Sequence, residues 1–209
     1  MILVITALGS RKDNLSEALQ HCTETVFGQA VPDLLFPYDG KPATASEGSQ
    51  THVPIPVVNF AGDICFSQGA RACAQTWASA SAANGTEAYL ALFNAPNPWP
   101  GPWHGHATHV LDMAFALQNF NEFLPPGQRL CAERVGRDII KFTSGESPFE
   151  PLHMHGRAMV YYAGVDGEEN GSREAHIDDY EGTGRHPARD SETLDKMMSS
   201  LLLLLQAPS

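Results

Sequence analysis

The sequence predicts an α/β fold, and two observations carry this prediction. Short apolar runs typical of buried strands alternate along the chain with longer segments whose apolar residues recur at helical spacing. The chain has 209 residues, of which 43% are hydrophobic, so it can bury a substantial core. We therefore expect a sheet layered with helices, in the order β-α-loops-α-β-α-α-β-α, with no internal repeat.

The N-terminal quarter predicts one strand and one helix. Residues 2–8 form a continuous β-branched and aliphatic run, which is typical of a strand buried on both faces. No basic residue precedes this run, so it does not read as a signal peptide. Leu15, Leu19, Cys22 and Val26 then recur at helical spacing, with Asn14 as N-cap and Gly28 as terminator. Residues 31–56 are rich in Pro, Gly, Ser and Thr and predict a surface excursion.

The middle of the chain predicts a helix, a strand, a stiff loop and a second helix. Residues 65–83 are rich in alanine and have one apolar face, and residues 87–93 contain a buried-strand pattern. The loop that begins at Asn94 holds four prolines and two tryptophans, which keep it non-helical as far as Thr108, the expected N-cap. Residues 110–120 are apolar on nearly all sides, so we expect a buried helix there.

The C-terminal third predicts two more helices and a last strand. Residues 128–142 have a helical apolar face, a loop covers residues 143–156, and residues 157–165 read as a strand. Residues 166–190 are acidic at their start and poor in apolar residues, which predicts a solvated loop. Ser191 is the expected cap of a closing helix that ends at Leu205.

Composition excludes several classes of partner and site. The formal net charge is -11 and no cluster of Lys or Arg offsets it, so we expect no nucleic-acid partner. The leucine tract at residues 201–205 is far shorter than the roughly 20 apolar residues of a spanning helix, so we expect no membrane span. Four cysteines without a Cys-x-x-Cys pair show neither a zinc ribbon nor a dithiol redox motif. The compartment stays undetermined.

The pattern of greatest functional interest lies around His109. It consists of a predicted strand, an irregular loop that contains His109, and a following helix. An α/β-hydrolase places its general base in such a loop, at the carboxyl end of a sheet strand. There one imidazole nitrogen reaches a serine hydroxyl while the other donates to a carboxylate. His109 is therefore the candidate catalytic residue.

Around His109 the sequence resembles the type-B carboxylesterases, the family of fungal lipases and cholinesterases. The resemblance rests on residues 62–66 before a helix, residues 89–93 before a Pro-containing loop, His109-Val110-Leu111-Asp112-Met113-Ala114-Phe115, and residues 138–142 with Gly145 and Pro148. It covers residues 2–151, most specifically residues 87–149.

The resemblance implies a partial α/β-hydrolase fold, with residues 1–209 forming the C-terminal strands and helices of the domain. It further implies a carboxylic ester hydrolase of the serine esterase or lipase type, with His109 as general base. No cofactor and no metal follow from it, and the substrate of the complete protein would be a small-molecule carboxylic ester.

The chain also departs from the family pattern. Three residues separate Gly105 from His109 where the family has two, and Gly-x-Ser-x-Gly is absent. The look-alike at residues 145–149 lacks its last Gly and follows His109, whereas this fold requires the order Ser, acid, His, so Ser147 is expected to be a loop residue.

Asp13 is the nearest substitute for the triad acid. Asp63 and Asp112 are expected to be structural, Asp112 at its own helix N-terminus. We therefore predict no hydrolysis by the chain alone, and an exposed apolar sheet edge able to pair with another chain.

Two hypotheses from other classes stay open. His104, His106 and His109 match the spacing HxHxxH, which is similar to the zinc motif HxHxDH of metallo-β-lactamases, although Thr108 replaces its Asp and a Pro-rich loop precedes it. His153, His155 and His176 are further conceivable ligands. Alternatively the chain is a non-catalytic binding module, because members of the same fold family serve in adhesion without catalytic residues. Trp99 and Trp103 are expected either to line an acyl pocket or to pack on the core.

Overall fold

The computed structural model describes residues 8, 14–28, 55–101, 103–108, 110–164, 169, 171–179 and 191–206. Their fold is mixed α/β: helices predominate and surround a small three-stranded sheet. The chain divides into two compact units, one formed by Met1–Ala70 with Arg185–Ser209 and the other by Arg71–Gly184. Among the described residues, no helix is both long and apolar enough to cross a membrane.

The first unit is helical in its described part. Helix α1, Leu15–Phe27, starts at Asn14, whose side-chain oxygen accepts hydrogen bonds from the backbone N–H groups of Ser16 and Glu17 at 3.2 and 3.4 Å. Gly28 ends it with a φ of +69°, a conformation that favours glycine. The predicted helix, its cap and its terminator are all confirmed. The closing helix, which we number α7 and which spans Ser191–Gln206, is also confirmed and packs against α1.

One continuous helical stretch includes the end of the predicted surface excursion and the alanine-rich helix predicted at residues 65–83, which is confirmed. Helix α2, Ile55–Gly62, passes through a π-helical turn, Asp63–Ser67, into helix α3, Gln68–Asn84. The prediction that residues 55 and 56 belong to the surface excursion is wrong. Pro56 lies in the first turn of α2, where its missing N–H would have no intrahelical partner in any case, so proline does not prevent helix formation there.

The second unit contains the sheet, whose strand order is β1-β2-β3. Strand β1, Ala91–Phe93, runs parallel to β2, Arg157–Tyr161, with Leu92 opposite Val160. Strand β3, Arg173–His176, runs antiparallel to β2. The strand predicted at residues 87–93 is confirmed at its last three residues and the strand predicted at residues 157–165 at its first five, so both are shorter than expected.

Helices cover both faces of this sheet. On one face, Phe93, Met159 and Tyr161 pack with residues of α4, Leu111–Ala116, and α5, Pro126–Thr143. On the other face, Leu90 and Ala158 pack with Ala74 and Ala78 of α3 and with the short helix α6, Leu152–His155. The second unit is therefore a three-layer arrangement. Helix α5 confirms the helix predicted at residues 128–142.

Two predicted elements differ in the structure. Leu8 has helical backbone and is buried, so the predicted strand is wrong at this residue, while residues 2–7 lie outside the described part. The helix at residues 110–120 is shorter than predicted and is not buried on all sides, because only Leu111 and Phe115 of α4 are buried. Nothing in the described chain covers its outer side, which leaves Met113 exposed.

The segment predicted to be an acidic loop contains β3. Its four residues gain main-chain hydrogen bonds to β2, a contribution that composition does not reveal. The segment is fixed further by the buried guanidinium of Arg71, which donates to the carbonyl oxygen of Ile177 at 3.0 Å and to Asp178 Oδ1 at 2.6 Å. A buried cation with two oxygen partners holds the chain beyond β3 against α3.

Candidate functional site

The histidine loop leaves the carboxyl end of β1 and folds back on itself. The backbone N–H of Asn94 donates to the carbonyl oxygen of Tyr161 at 2.9 Å, which ties the start of the loop to β2. Two 2.9 Å bonds then join its arms: Asn97 N–H donates to His106 O, and Gly105 N–H donates to Asn97 O. These bonds close the proline-rich segment into a loop, whose bridge between Asn97 and His104 is parallel.

The loop ends in a tight turn at the start of α4. The N–H of Leu111 donates to Thr108 O at 3.2 Å, and Val110, the residue before the helix, has a φ of +72°. The prediction that Thr108 caps this helix is therefore wrong. A positive φ at a β-branched residue is rare and indicates a turn held by its surroundings. His109 lies outside the described residues, so its role as general base stays a prediction.

The other histidines of the loop differ in exposure, His104 being exposed and His106 half-buried. Within the described ranges, no three His, Cys, Asp or Glu side chains form a group able to hold a metal ion. The motif HxHxxH includes His109, which lies outside the described residues, so the zinc hypothesis for the three histidines together stays a prediction. Of the further histidines, His155 Nδ1 contacts the Glu150 carboxylate.

Trp99 packs on the core of the second unit. Its ring meets that of Phe120 edge to face, with centroids 6.2 Å apart, and it contacts the buried cluster around Phe115. Its backbone N–H donates to Asn97 Oδ1 at 2.9 Å. Of the two expected roles, core packing is the one observed for Trp99, which fastens the loop to the protein. Trp103 is half-buried.

The carboxylates and the serine singled out in the sequence belong to different local structures. Asp63 is buried in the π-helical turn and accepts a 3.1 Å bond from Ser67 Oγ, and Asp112 lies exposed in the first turn of α4. Asp13 lies outside the described residues. The Tyr89 hydroxyl donates its one proton to the Glu87 carboxylate, and Ser147 Oγ lies 2.8 Å from the same hydroxyl oxygen, to which it can donate. Ser147 thus belongs to a polar cluster at the surface.

A pocket of about 330 Å³ opens beside the first turn of α4, on the sheet face covered by α4 and α5. Its walls are mostly apolar and aromatic, and two carboxylates reach it. The lining residues are Tyr89, Ala91, Phe93, Asp112, Met113, Ala116, Val135, Asp138, Ile139, Phe142, Pro148, Phe149 and Tyr161. Such a combination of apolar walls and few polar groups is typical of a small-molecule site.

Asp138 is the buried polar group of this pocket. Its side chain is 3% exposed, and its Oδ2 accepts hydrogen bonds from Arg134 Nε at 2.7 Å and from the Tyr161 hydroxyl at 3.0 Å. Burial, and then the charge of Asp138, raise the pKa of Tyr161 well above its ordinary value, so the phenol stays protonated and donates. The three side chains form one fixed network that links α5 to β2.

The amino-acid sequence alone did not predict this network. Arg134 and Asp138 are four residues apart on a helix, a spacing that usually indicates an exposed ion pair. A signal was present, because Asp138 follows Cys131 and Val135 at intervals of four and three residues and so falls on the apolar face of α5. A carboxylate on a buried face needs partners. Tyr161 could not be identified as one of them without the register of β2.

No family model, no curated protein and no solved structure matches this chain.

Proposed function

We propose that this chain is the histidine-bearing part of a carboxylic ester hydrolase of the serine esterase or lipase type. The observation that carries the proposal is the connection from β1 to α4: a parallel strand, a loop leaving its carboxyl end, and a hydrogen bond from the Leu111 N–H to Thr108 O where the loop meets α4. An α/β-hydrolase needs this connection to present its general base. The order of residues from His109 to Phe115 supports the same proposal.

In this proposal His109 takes the proton from a serine hydroxyl as it attacks the ester carbonyl. It then returns the proton to the leaving alkoxide, while a carboxylate on its other nitrogen holds the tautomer. The 209 residues contain no Gly-x-Ser-x-Gly, so another polypeptide segment has to supply the serine. The chain by itself is then catalytically silent, and no cofactor takes part.

The exposed surface of the second unit supports the proposal that another polypeptide segment pairs with this chain. Within the described residues, no strand pairs with the side of β1 that faces away from β2. Large apolar side chains are exposed on the helices next to this edge, among them Met113, Ile139 and Phe142. An open strand edge beside apolar surface is unusual in a completed domain and fits a sheet that continues in another segment.

Reconstitution tests the proposal. The chain is co-expressed with the nucleophile-bearing N-terminal part of a type-B carboxylesterase from which the histidine block has been removed, and hydrolysis of p-nitrophenyl butyrate is measured. We expect hydrolysis by the combination and none by either part. His109→Gln should lower the restored rate at least about 10³-fold, because a triad without its base loses most of its catalysis.

His106→Gln is the matched control and should keep most of the restored rate, since the same change is made three residues earlier in the loop. A fluorophosphonate probe should leave the isolated chain unlabelled. The proposal fails if the isolated chain forms a covalent adduct, or if His109→Gln and His106→Gln give equal rates in an active combination.

A further inference from the structure

The pocket beside α4 contains a carboxylate oxygen that the protein itself does not use. Both bonds to Asp138, from Arg134 and from Tyr161, end on Oδ2. Within the described part of the chain, no hydrogen-bond donor reaches Oδ1. Asp138 lines the pocket, and Oδ1 is not among the fully buried side-chain atoms without a partner, so this oxygen is reached from the pocket space. A carboxylate oxygen that faces an apolar pocket can accept a charge-assisted hydrogen bond from a ligand that brings an N–H.

Aromatic rings form the walls around this oxygen. Tyr89 stands edge to face with both Phe142 and Phe149, with ring centroids 6.0 and 5.6 Å apart, and Phe93 is held in the same way by Phe115 at 5.2 Å. Interlocked rings of this kind are rigid. They offer flat apolar contact to a ligand body, and their faces attract a positive charge.

The charges of the pocket have one sign. Asp112 and Asp138 line it, and no Lys, Arg or His is among the lining residues. Arg134 neutralises part of the charge of Asp138 through Oδ2, whereas Asp112 is exposed at the rim without a cationic partner in the described chain. The local potential therefore favours a cation over a neutral or anionic molecule.

We propose that this pocket binds a small primary or secondary amine with an aromatic or branched aliphatic body, whose N–H donates to Asp138 Oδ1. The volume of about 330 Å³ is at the small end of ligand pockets and fits one ring with a short chain. The body lies among Tyr89, Phe142 and Phe149, and Asp112 adds attraction at the rim. The inference is independent of the role of His109.

Calorimetric titration with four matched probes tests the proposed binding of an amine. These are 2-phenylethylamine, its trimethylammonium analogue, 2-phenylethanol and 3-phenylpropionate. We expect the primary amine to bind most tightly. The quaternary cation should bind about tenfold or more weakly because it has charge but no N–H to donate. The alcohol should be weaker for lack of charge, and the acid should not bind.

Variants locate the site. Asp138→Asn should weaken amine binding at least about tenfold, since a charge-assisted bond becomes a neutral one. Because this change also removes the partner of Arg134, Phe142→Ala provides a second test at a ring that is 60% exposed and so is tolerant of substitution. Phe142→Ala should also weaken binding several-fold. Phe123→Ala is the control: its ring is 66% exposed in the same unit and does not line the pocket.

The proposal is overturned if the quaternary cation or the acid binds as tightly as the primary amine, or if the amine shows no saturable binding. It is equally overturned if Phe142→Ala and Phe123→Ala bind the amine like the wild type.

Discussion

Asp138 illustrates what can be predicted at the scale of single residues. Its place on the apolar face of α5 follows from helical spacing, and so does the need for partners. Which side chains satisfy it depends on the contact between α5 and β2, and this contact is not local in sequence. The same limit applies to His109, whose chemical role follows from residue order, whereas its hydrogen-bond partners do not.

The pKa of Tyr161 gives a prediction at this scale. The folded-state pKa lies above the ordinary value of 10.0, so the stability contributed by the protonated phenol is fully present below pH 10 and is lost as pH rises beyond it. We expect the free energy of unfolding to fall above pH 10 by up to about 1.4 kcal/mol per pH unit. Tyr161→Phe should remove this component of the slope.

Urea unfolding at pH 8 and pH 11 measures the effect, with Tyr162→Phe as control because Tyr162 is the adjacent tyrosine and is exposed. Burial also raises the pKa of the Cys131 thiol, which adds a loss that begins above pH 9 and should be common to all three proteins. Equal slopes for Tyr161→Phe and the wild type would contradict the prediction.

At the scale of elements, the predictions were right where the signals for an element lie within its own segment of the sequence. Helices α1, α5 and α7 were predicted because their periodicity lies within the segment itself, and for α1 the capping signals do as well. Strand β3 was missed because an acidic sequence becomes a strand only through its pairing with β2. Helix α2 was missed because its Pro56 reads as a loop signal, although this proline occupies the first turn of the helix.

Substitutions at two glycines, Gly28 and Gly69, give a prediction at the scale of elements. Gly28 ends α1 with a φ of +69°, and an added Cβ there meets no atom within 4 Å, so backbone strain is the main cost of substitution. Gly28→Ala should destabilise the protein by about 1 kcal/mol. Gly69 lies inside α3, also with open space around it, and Gly69→Ala should stabilise by up to about 1 kcal/mol through helix propensity.

Thermal unfolding of the two variants beside the wild type is the measurement. The two substitutions are chemically identical, so their opposite signs isolate backbone conformation from side-chain contacts. Destabilisation of similar size by both would show that this explanation is wrong.

At the scale of the whole chain, alternation of strand and helix patterns predicted a mixed α/β fold, which the described residues confirm. Alternation could not predict the strand order, because that order depends on which segments pair across long connections. It also gave no sign of how small the sheet is in the described residues. Among these residues, β1 and β2 form the one parallel pair, and no strand covers the outer side of β1.

This open surface leads to a prediction about association. Besides the edge of β1, residues near α4 and α5 expose large apolar side chains, with Phe123 and Ile140 each 66% exposed. Exposed large apolar side chains and an unpaired strand edge both favour pairing with a second copy. We expect part of the purified protein to sediment as species larger than a monomer. The proportion of these larger species should rise as the protein concentration increases from about 1 to 100 µM. Sedimentation velocity across this range checks the mass.

The double variant Phe123→Lys with Ile140→Lys should shift the protein toward monomer, because charges on the contact surface oppose its burial. Trp77→Lys is the control: it places one such charge at an exposed aromatic residue of α3, on the other side of the sheet, and should associate like the wild type. A monodisperse wild-type monomer over the whole concentration range would show that the exposed apolar surface does not drive self-pairing. An equal response of Trp77→Lys and the double variant would show that added charge, and not the position of that charge, controls the association.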